Sequence, residues 1–348
     1  MSHLTYGEAG VVGLIQGITE LFPLSSLGHA ILIPALVGGQ WATDLSVSAP
    51  KSAYLAFIVG LHVATAIAMI IYFWRDWVRI IAAFFAWVRH MAAPEAGTSR
   101  WEPQGTDQKL AWMIILGTIP VGIAGVLLQH LFTKVFSKPA LVAVFLFVNG
   151  LILLAGERQR RRGAQAESEQ MTADQMAAQR QRAEVGVGGR GMAVGGRHAS
   201  GQRAVKQEQA TLAMQSDRRL VGVGYLGGFL LGASQILALL PGISRDGIVM
   251  VSGMFRGLTR QDAARFSFLL SAPVIFAAGV LKLHDLTGPL GTGIREQVLF
   301  GSVLSGIGAY VALRFLVRYL SDASRTLAPF AIYCLVVGLG STIYLSVK

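Results

Sequence analysis

The chain has 348 residues, of which 53% are hydrophobic and only 14% are charged, and its mean hydropathy is +0.53. Soluble globular proteins carry about 25% charged residues. This composition excludes an ordinary soluble domain and indicates a polytopic membrane protein. The single cysteine, Cys334, excludes a disulfide framework and a cysteine-based zinc site.

The first apolar stretch, residues 9–38, is interrupted near its middle by a glutamate, a proline, two serines and a histidine. Each half is short for a crossing, because a transmembrane helix needs about 20 apolar residues. Irregular backbone at membrane depth is tolerated only where it is buried in protein or lines a wet cavity. We therefore predict a re-entrant helix–loop–helix hairpin over residues 9–38.

Three uninterrupted apolar stretches follow, at residues 53–73, 110–133 and 139–156, and none contains Asp, Glu, Lys or Arg. Each is long enough to span the membrane as a helix. Between the first two, residues 77–91 interleave Trp, Ile and Phe with two arginines. That pattern is typical of an amphipathic helix lying at the membrane surface.

Residues 157–219 have a different composition, with no Phe, Trp, Tyr or Ile, and are rich in Gln, Arg, Ala and Gly. Such a segment cannot bury enough apolar surface to offset the entropy of ordering the chain. We predict a disordered, basic cytoplasmic linker, with helix only in its Gln/Ala/Glu-rich part at 167–184.

The second half repeats the plan of the first. An apolar stretch at 220–255 is broken at its centre, and three further spans follow. In both breaks a glutamine lies six or seven residues before the proline and a serine lies three residues after it: Gln16, Pro23 and Ser26 in the first, Gln235, Pro241 and Ser244 in the second. Two alternatives stay open. The likeness of the two breaks could arise by chance from their Pro, Gly and Ser content, and residues 220–240 are long enough to cross the membrane as one span.

We predict an all-α polytopic membrane protein of six transmembrane helices plus two re-entrant helical hairpins. The predicted second-half spans are residues 265–283, 297–320 and 326–347. The chain divides into a first repeat at 1–156, the linker at 157–219 and a second repeat at 220–348. Three crossings are an odd number, so the second repeat is inverted relative to the first, an arrangement typical of transporter-like folds.

The basic residues are distributed unevenly between the two faces that this topology defines. One face receives 23 of the 30 Lys and Arg residues, the other receives six, and Arg245 lies in the second break. Positive charge marks the cytoplasmic face. The termini are therefore expected outside and the linker inside, and the net charge of +11 needs no nucleic acid to explain it.

The first break brings ionisable and hydroxyl side chains to one loop. Gln16 and Glu20 are four residues apart and share a helical face. A serine of the Ser25-Ser26 pair is a natural N-cap for the next half-helix, and His29 lies one turn further on the same side. An ionisable group at membrane depth is a functional candidate by default. The alternative is a Glu20–His29 pair that only pins the hairpin.

The second break contains the features of an anion site. A half-helix is predicted at 244–255, and its free N–H groups and positive dipole end attract anions. Gly242 allows close backbone approach, and Arg245 supplies a planar fork suited to phosphate. Alternatively, the guanidinium of Arg245 forms an ion pair with Glu20 or Asp246. Together the two breaks predict a site for a lipid phosphate or diphosphate.

These motifs resemble those of a known family. The stretch GLIQGITELFPLSSLGH at 13–29 is similar to the (E/Q)xxxE–PxSSxGH signature of the undecaprenyl-diphosphate phosphatase, or bacitracin-resistance, family. QILALLPGISRDG at 235–247 resembles that family's QxxAxxPGxSRSG motif, and the similarity covers nearly the whole chain except the linker.

The resemblance implies a multi-pass enzyme of the bacterial inner membrane whose active site faces outward. Family members hydrolyse the C55 isoprenyl diphosphate to the monophosphate and phosphate, which recycles the lipid carrier for cell-wall synthesis and confers bacitracin resistance. They depend on a divalent cation, usually taken as Mg²⁺ or Ca²⁺. The positions that match the family's functional residues are Gln16, Glu20, Ser26, His29, Ser244 and Arg245.

From the chemistry of the residues and this resemblance together we assign expected roles. The catalytic residues are Glu20, Ser26, His29 and Arg245; the substrate-binding residues are Gln16, Ser25, Gly242, Ser244 and Arg245; the metal ligands are Glu20 and Asp246. The histidine could be the general acid, the nucleophile, or a base acting through Ser26. Ser26 as nucleophile with His29 as its base is the preferred arrangement.

The chain departs from the family pattern in several places. Gln16 stands where many members have Glu, Asp246 replaces the second Ser of the SRS triplet, and Cys334 replaces an Arg that usually follows the tyrosine of the last span. The basic linker is also atypical. These departures keep three alternatives open: a polyprenyl-phosphate carrier or flippase, a divergent paralogue, and an inactive scaffold. The expected partners are the lipid substrate and the bilayer, and homo-oligomerisation is left open.

Overall fold

The computed structural model describes residues 4–45, 53–93, 99–128, 138–185, 201–287, 293–322 and 324–347. The described chain is helical. Its helices are, in chain order, α1 (Tyr6–Leu21), α2 (Ser26–Val37), α3 (Gly39–Asp44), α4 (Ala53–Tyr72), α5 (Trp74–Ala92), α6 (Thr106–Leu127), α7 (Pro139–Val185), α8 (Gly201–Gly222), α9 (Gly224–Ser234), α10 (Arg245–Phe255), α11 (Arg260–Thr287), α12 (Arg295–Ser321) and α13 (Ala328–Val347), with a 3₁₀ helix at Gln235–Leu239 between α9 and α10.

Six helices in the described ranges are long and apolar enough to cross a membrane: α4, α6, α7, α11, α12 and α13. They coincide with the six predicted spans, so the prediction of an all-α, multi-pass membrane protein is confirmed. Residues 220–240 do not form one straight crossing, because the chain bends by 89° between Ala213–Gly222 and Gly224–Leu239. The prediction that the two hairpins are re-entrant is consistent with these short, bent helices.

The two halves of the protein interlock through their broken helices. The first hairpin helix, α1, packs against α12 of the second half, and its counterpart α9 packs against α6 of the first half. The α9–α6 contact is very close at Gly232, where an added Cβ would lie 2.0 Å from the carbonyl oxygen of Gly117. Small residues at such crossings let membrane helices approach closely. This exchange of partners brings both breaks to the centre of the molecule.

The linker differs in part from the disordered segment expected from composition. Helix α7 continues beyond its membrane span to Val185, and α8 begins at Gly201. Runs of Gln, Ala, Glu and Arg have high helix propensity, which accounts for helix without a hydrophobic core. Residues 186–200, which also belong to the predicted linker, lie outside the described residues.

Ion pairs bind α8 to the helices beside it. Arg265 on α11 contacts Asp76 at 2.6 Å and Asp217 at 2.7 Å, and Arg79 on α5 contacts Asp217 at 2.5 Å and Asp107 at 3.0 Å. Burial alone would lower the pKa of Arg79, but the carboxylates around it hold that pKa above its usual value. We call these five residues the ion-pair cluster; it joins α5, α6, α8 and α11 on the face predicted to be cytoplasmic.

Candidate active site

The two breaks meet at a junction of two loops. The loop between α1 and α2 ends at Ser25, whose φ of 66° makes it the one non-glycine residue with positive φ in the described chain. Its hydroxyl oxygen accepts hydrogen bonds from the N–H of Gly28 at 3.3 Å and from the N–H of Gly242 at 3.0 Å. Ser25 therefore caps α2, as predicted, and also ties the first loop to the second.

The second loop leads into α10 and supplies the other helix N-terminus. Ser244 is the N-cap of α10, and its hydroxyl accepts a hydrogen bond from the N–H of Gly247 at 3.1 Å. Gly242 has a φ of 108°, and an added Cβ there would lie 2.5 Å from the carbonyl oxygen of Val142. Only glycine fits this position, so the backbone of the second loop can lie directly against α7.

A buried asparagine on α7 makes a further link between the loops. Asn149 donates from Nδ2 to the carbonyl oxygen of Pro23 at 2.9 Å and accepts at Oδ1 from the N–H of Ser244 at 3.0 Å. Its Nδ2 also lies 3.3 Å from the Sγ of Cys334. This asparagine was not singled out in the sequence.

The carboxylate of Glu20 lies at the centre of the junction and has four described partners. Its Oε1 accepts from Arg245 at 2.5 Å, which settles the alternative pairings of Arg245 in favour of Glu20. Its Oε2 accepts from the amide of Gln16 at 2.9 Å and from the hydroxyl of Ser26. The imidazole Nε2 of His62, on the first span, lies 3.3 Å from the same oxygen.

Two polar atoms beside this carboxylate are buried and have no partner in the described residues. They are Oε1 of Gln16, an acceptor, and Nε of Arg245, a donor. A buried unsatisfied polar atom costs about 1–3 kcal/mol. Both side chains are already bonded to Glu20, so a ligand that reaches Glu20 can satisfy them.

His29 has partners at both of its ring nitrogens. Nδ1 lies 2.8 Å from the carbonyl oxygen of Ser25 and donates to it, because a carbonyl can only accept. Nε2 is thereby left as an acceptor, and it takes the hydroxyl hydrogen of Tyr333 at 2.9 Å. The expected bond between His29 and Ser26 is not among the described contacts, since Ser26 donates to Glu20 instead.

Asp246 makes hydrogen bonds on a different side from Glu20. Its Oδ1 accepts from the hydroxyls of Ser267 at 2.7 Å and Ser271 at 2.6 Å, both on α11. Within the described residues no group of three or more His, Cys, Asp or Glu side chains could hold a metal ion. Glu20 and Asp246 as metal ligands stay a prediction, and the described hydrogen bonds of the Asp246 carboxylate are at Oδ1 and to α11.

A narrow cleft reaches the junction between α1, α2 and α4. Its polar lining is Gln16, Ser26 and His29, and the remaining lining is Val12, Ile15, Ala30, Ile33, Pro34 and Tyr54. Polar groups at one side of an otherwise apolar cleft are typical of a binding site for an amphipathic molecule.

Sequence reasoning missed His62, Asn149 and Tyr333, all of which lie on spans. Spans defined by the absence of Asp, Glu, Lys and Arg do not reveal a histidine inside residues 53–73. Counting every residue with a polar side chain inside a span would have identified His62 and Asn149, because such groups are costly in the membrane. No local pattern marks Tyr333.

The chain is similar to proteins of one family throughout. The family described as bacitracin resistance protein BacA matches residues 9–180 and 198–340. An undecaprenyl-diphosphatase of Mycolicibacterium paratuberculosis is 50% identical over 347 residues, which cover 100% of this chain and 99% of the relative. Undecaprenyl-diphosphatase 1 of Frankia casuarinae is 47% identical, with 97% of each chain covered.

More distant relatives keep nearly the same coverage. Undecaprenyl-diphosphatase 2 of Burkholderia ambifaria is 36% identical over 330 residues, which cover 94% of this chain and 92% of the relative. The match spans both breaks that form the junction and all six spans. The chain therefore belongs to the family of the bacitracin resistance protein BacA.

Proposed function

We propose that the protein is an undecaprenyl-diphosphatase, a membrane hydrolase that converts undecaprenyl diphosphate to the monophosphate and inorganic phosphate. The observation that carries this proposal is the junction itself. Two helix N-termini, an arginine with a free buried donor and a buried carboxylate meet beside an apolar cleft. A diphosphate is complementary to the polar junction, and an isoprenyl tail is complementary to the apolar cleft.

The diphosphate is held by donors from both halves. The N-termini of α2 and α10 offer backbone N–H groups and the positive ends of their dipoles. Arg245 presents its free Nε–H to a phosphate oxygen, and an arginine fork can grip two such oxygens. These donors stabilise the charge that spreads over the transferring phosphoryl group.

The hydroxyl of Ser26 attacks the terminal phosphorus in this mechanism. Glu20 accepts the proton of Ser26, because the two are already hydrogen bonded. The bond from the terminal phosphorus to the bridging oxygen breaks, and its electron pair leaves on the undecaprenyl monophosphate. Water then attacks the phosphorus of the phosphoserine, and a proton passes from that water to Nε2 of His29. The bond from phosphorus to the Ser26 oxygen breaks, that oxygen takes back its proton from Glu20, and inorganic phosphate is released.

His29 as nucleophile is the competing assignment, because its Nε2 is an acceptor held in place by Tyr333. An acid quench separates the two, since phosphoserine survives acid and phosphohistidine does not. Phosphate retained on the protein after the acid quench supports Ser26. Label lost in acid and kept in base supports His29.

A divalent cation fits the donors present on α1. Oxygen ligands suit Mg²⁺ and Ca²⁺, and the free Oε1 of Gln16 together with the carboxylate of Glu20 would hold such an ion. When bound, it supplies neutralisation of the charge on the diphosphate oxygens. Asp246 remains the predicted second carboxylate ligand, and its Oδ1 is held by hydrogen bonds from α11.

The enzyme lies in the bacterial cell membrane with its active site facing outward. This orientation is supported by the excess of Lys and Arg on the face that carries the linker. The termini are accordingly outside and the linker inside. Hydrolysis at the outer face returns the lipid carrier to cell-wall synthesis and confers bacitracin resistance, as the description of the family implies.

Proteoliposomes distinguish this enzyme from a carrier. Wild-type protein is expected to release phosphate from undecaprenyl diphosphate, and His29→Ala is expected to abolish the release. A carrier would move a labelled polyprenyl phosphate between leaflets without phosphate release, and would tolerate loss of His29 while Arg245 still grips phosphate. Transfer of label without hydrolysis by the wild type would overturn the proposal.

A further inference from the structure

Asn149 uses its whole carboxamide to connect three parts of the site. It is fully buried on α7. Nδ2 donates to the carbonyl oxygen of Pro23 at 2.9 Å, Oδ1 accepts from the N–H of Ser244 at 3.0 Å, and Nδ2 also lies 3.3 Å from Sγ of Cys334. Its two loop partners are backbone groups, so the amide joins the backbone of the first loop to the backbone of the second.

Those two backbone groups border the two helix N-termini of the junction. Pro23 precedes Ser25, the N-cap of α2, by two residues, and Ser244 is itself the N-cap of α10. A shift of either loop changes where its free N–H groups point. The Asn149 amide therefore sets the spacing between the two anion-binding helix ends.

Two other contacts join the loops, and both involve groups that are close to the expected position of the substrate phosphate. The Glu20–Arg245 pair joins the same halves, but Arg245 is itself proposed to bind phosphate through its free Nε–H. The Ser25–Gly242 bond uses an N–H in the loop where the phosphate is expected. The two loop bonds of Asn149 use the carbonyl oxygen of Pro23 and the N–H of Ser244, and neither group is among the proposed phosphate contacts.

We propose that Asn149 is a positioning residue that holds the two phosphate-binding loops in register while Arg245 and the helix N-termini bind the substrate phosphate. This inference rests on the proposed phosphatase activity. A positioning role differs from a packing role in its consequence. If Asn149 positions the loops, protein that lacks its amide is folded and still binds the lipid, but its chemical step is slower.

Three variants test the proposal. Asn149→Leu is close in size but has no donor or acceptor. Asn149→Asp keeps the acceptor for the Ser244 N–H and loses the donor to Pro23. Cys334→Ala is the matched control, since it removes the Sγ contacts with Asn149 and with the carbonyl oxygen of Pro23 and leaves both loop bonds of Asn149 in place. Each is purified in detergent, its folded fraction is measured by size exclusion, and kcat and KM for undecaprenyl diphosphate are determined.

We expect kcat per folded molecule to fall at least tenfold in Asn149→Leu and Asn149→Asp. KM should change less than threefold, because contacts with the lipid tail are equal in ground and transition states. Cys334→Ala should keep kcat within twofold. Unchanged kcat in Asn149→Leu, or full activity in Asn149→Asp, would overturn the positioning role while leaving the phosphatase intact.

A second measurement does not depend on turnover. Hydrogen–deuterium exchange of the free protein should show faster exchange in both loops, at 22–28 and 241–247, for Asn149→Leu and in neither for Cys334→Ala. Faster exchange in one loop alone, or in none, would contradict the link between loops. If the wild type releases no phosphate, the proposed function fails and the exchange experiment still decides the role of Asn149.

Discussion

Replacing Arg245 by lysine tests the phosphate grip more sharply than removing the side chain. Lysine keeps a positive charge opposite Glu20, so the buried carboxylate is not left unpaired, a change that would cost about 3–5 kcal/mol of stability. It loses the planar fork, and with it the Nε–H that is buried and free of a protein partner. The substitution thus separates catalysis from folding.

The expected size of the effect follows from the bonds that are lost. A hydrogen bond to a charged group contributes about 1.5–3 kcal/mol, and about 1.4 kcal/mol corresponds to a tenfold change in rate. Since the lost Nε–H donor is one such bond, Arg245→Lys should lower kcat/KM about 10- to 150-fold. The assay is phosphate release by detergent-purified protein, with thermal stability measured on the same preparation.

Arg256 provides the matched control, because it follows the opposite end of α10 and is exposed. Arg256→Lys should leave kcat/KM within twofold and stability unchanged. If Arg245→Lys retains kcat/KM within threefold of the wild type, the fork does not bind the reacting phosphate. The reasoning about the free Nε would then be refuted.

Three further predictions concern the scaffold. Gly232→Ala should lower thermal stability strongly, because its Cβ would meet the Gly117 carbonyl at 2.0 Å; overpacking of this kind costs about 1–3 kcal/mol or more. Asp217→Asn should destabilise by about 3 kcal/mol, since it removes a buried partner from Arg265. Deleting residues 186–200 should leave kcat unchanged in the phosphate-release assay, because the deletion spares both Asp217 and the junction.

The Gly232 and Asp217 predictions each have a control variant, and each of the three predictions has a result that would contradict it. Gly125→Ala lies on α6 in open space and should not destabilise; equal stability of the Gly232 variant would refute the close crossing. Asp322→Asn breaks a solvent-exposed pair and should change stability little. If Asp217→Asn changes stability no more than Asp322→Asn does, the ion-pair cluster adds little. Loss of turnover on deleting 186–200 would favour the scaffold interpretation.

The fold and the two breaks were predictable because their signals are local. Proline, glycine and serine inside apolar stretches mark the loops, and uninterrupted apolar stretches mark the six confirmed spans. The N-cap roles of Ser25 and Ser244 follow from the preference of hydroxyl side chains for that position. These inferences need only neighbours in sequence.

Pairings across the site were harder to predict. Sequence could not choose Glu20 over Asp246 as the partner of Arg245, because residue 246 is adjacent and residue 20 lies in the other half. The positive φ of Ser25 determines where the chain turns, and so whether Ser26 meets Glu20 or His29. Contacts between distant spans, such as Asn149 with both loops, have no counterpart in local spacing.

The most direct test of the central claim is a product analysis with purified wild-type protein and Glu20→Gln, with undecaprenyl diphosphate as the substrate. Inorganic phosphate and undecaprenyl monophosphate are quantified together, with Mg²⁺ or Ca²⁺ added and with the cation chelated. The account predicts equal molar amounts of both products from the wild type, a dependence on the cation, and loss of both products in Glu20→Gln. Folded, lipid-binding wild type that forms neither product with either cation would contradict it.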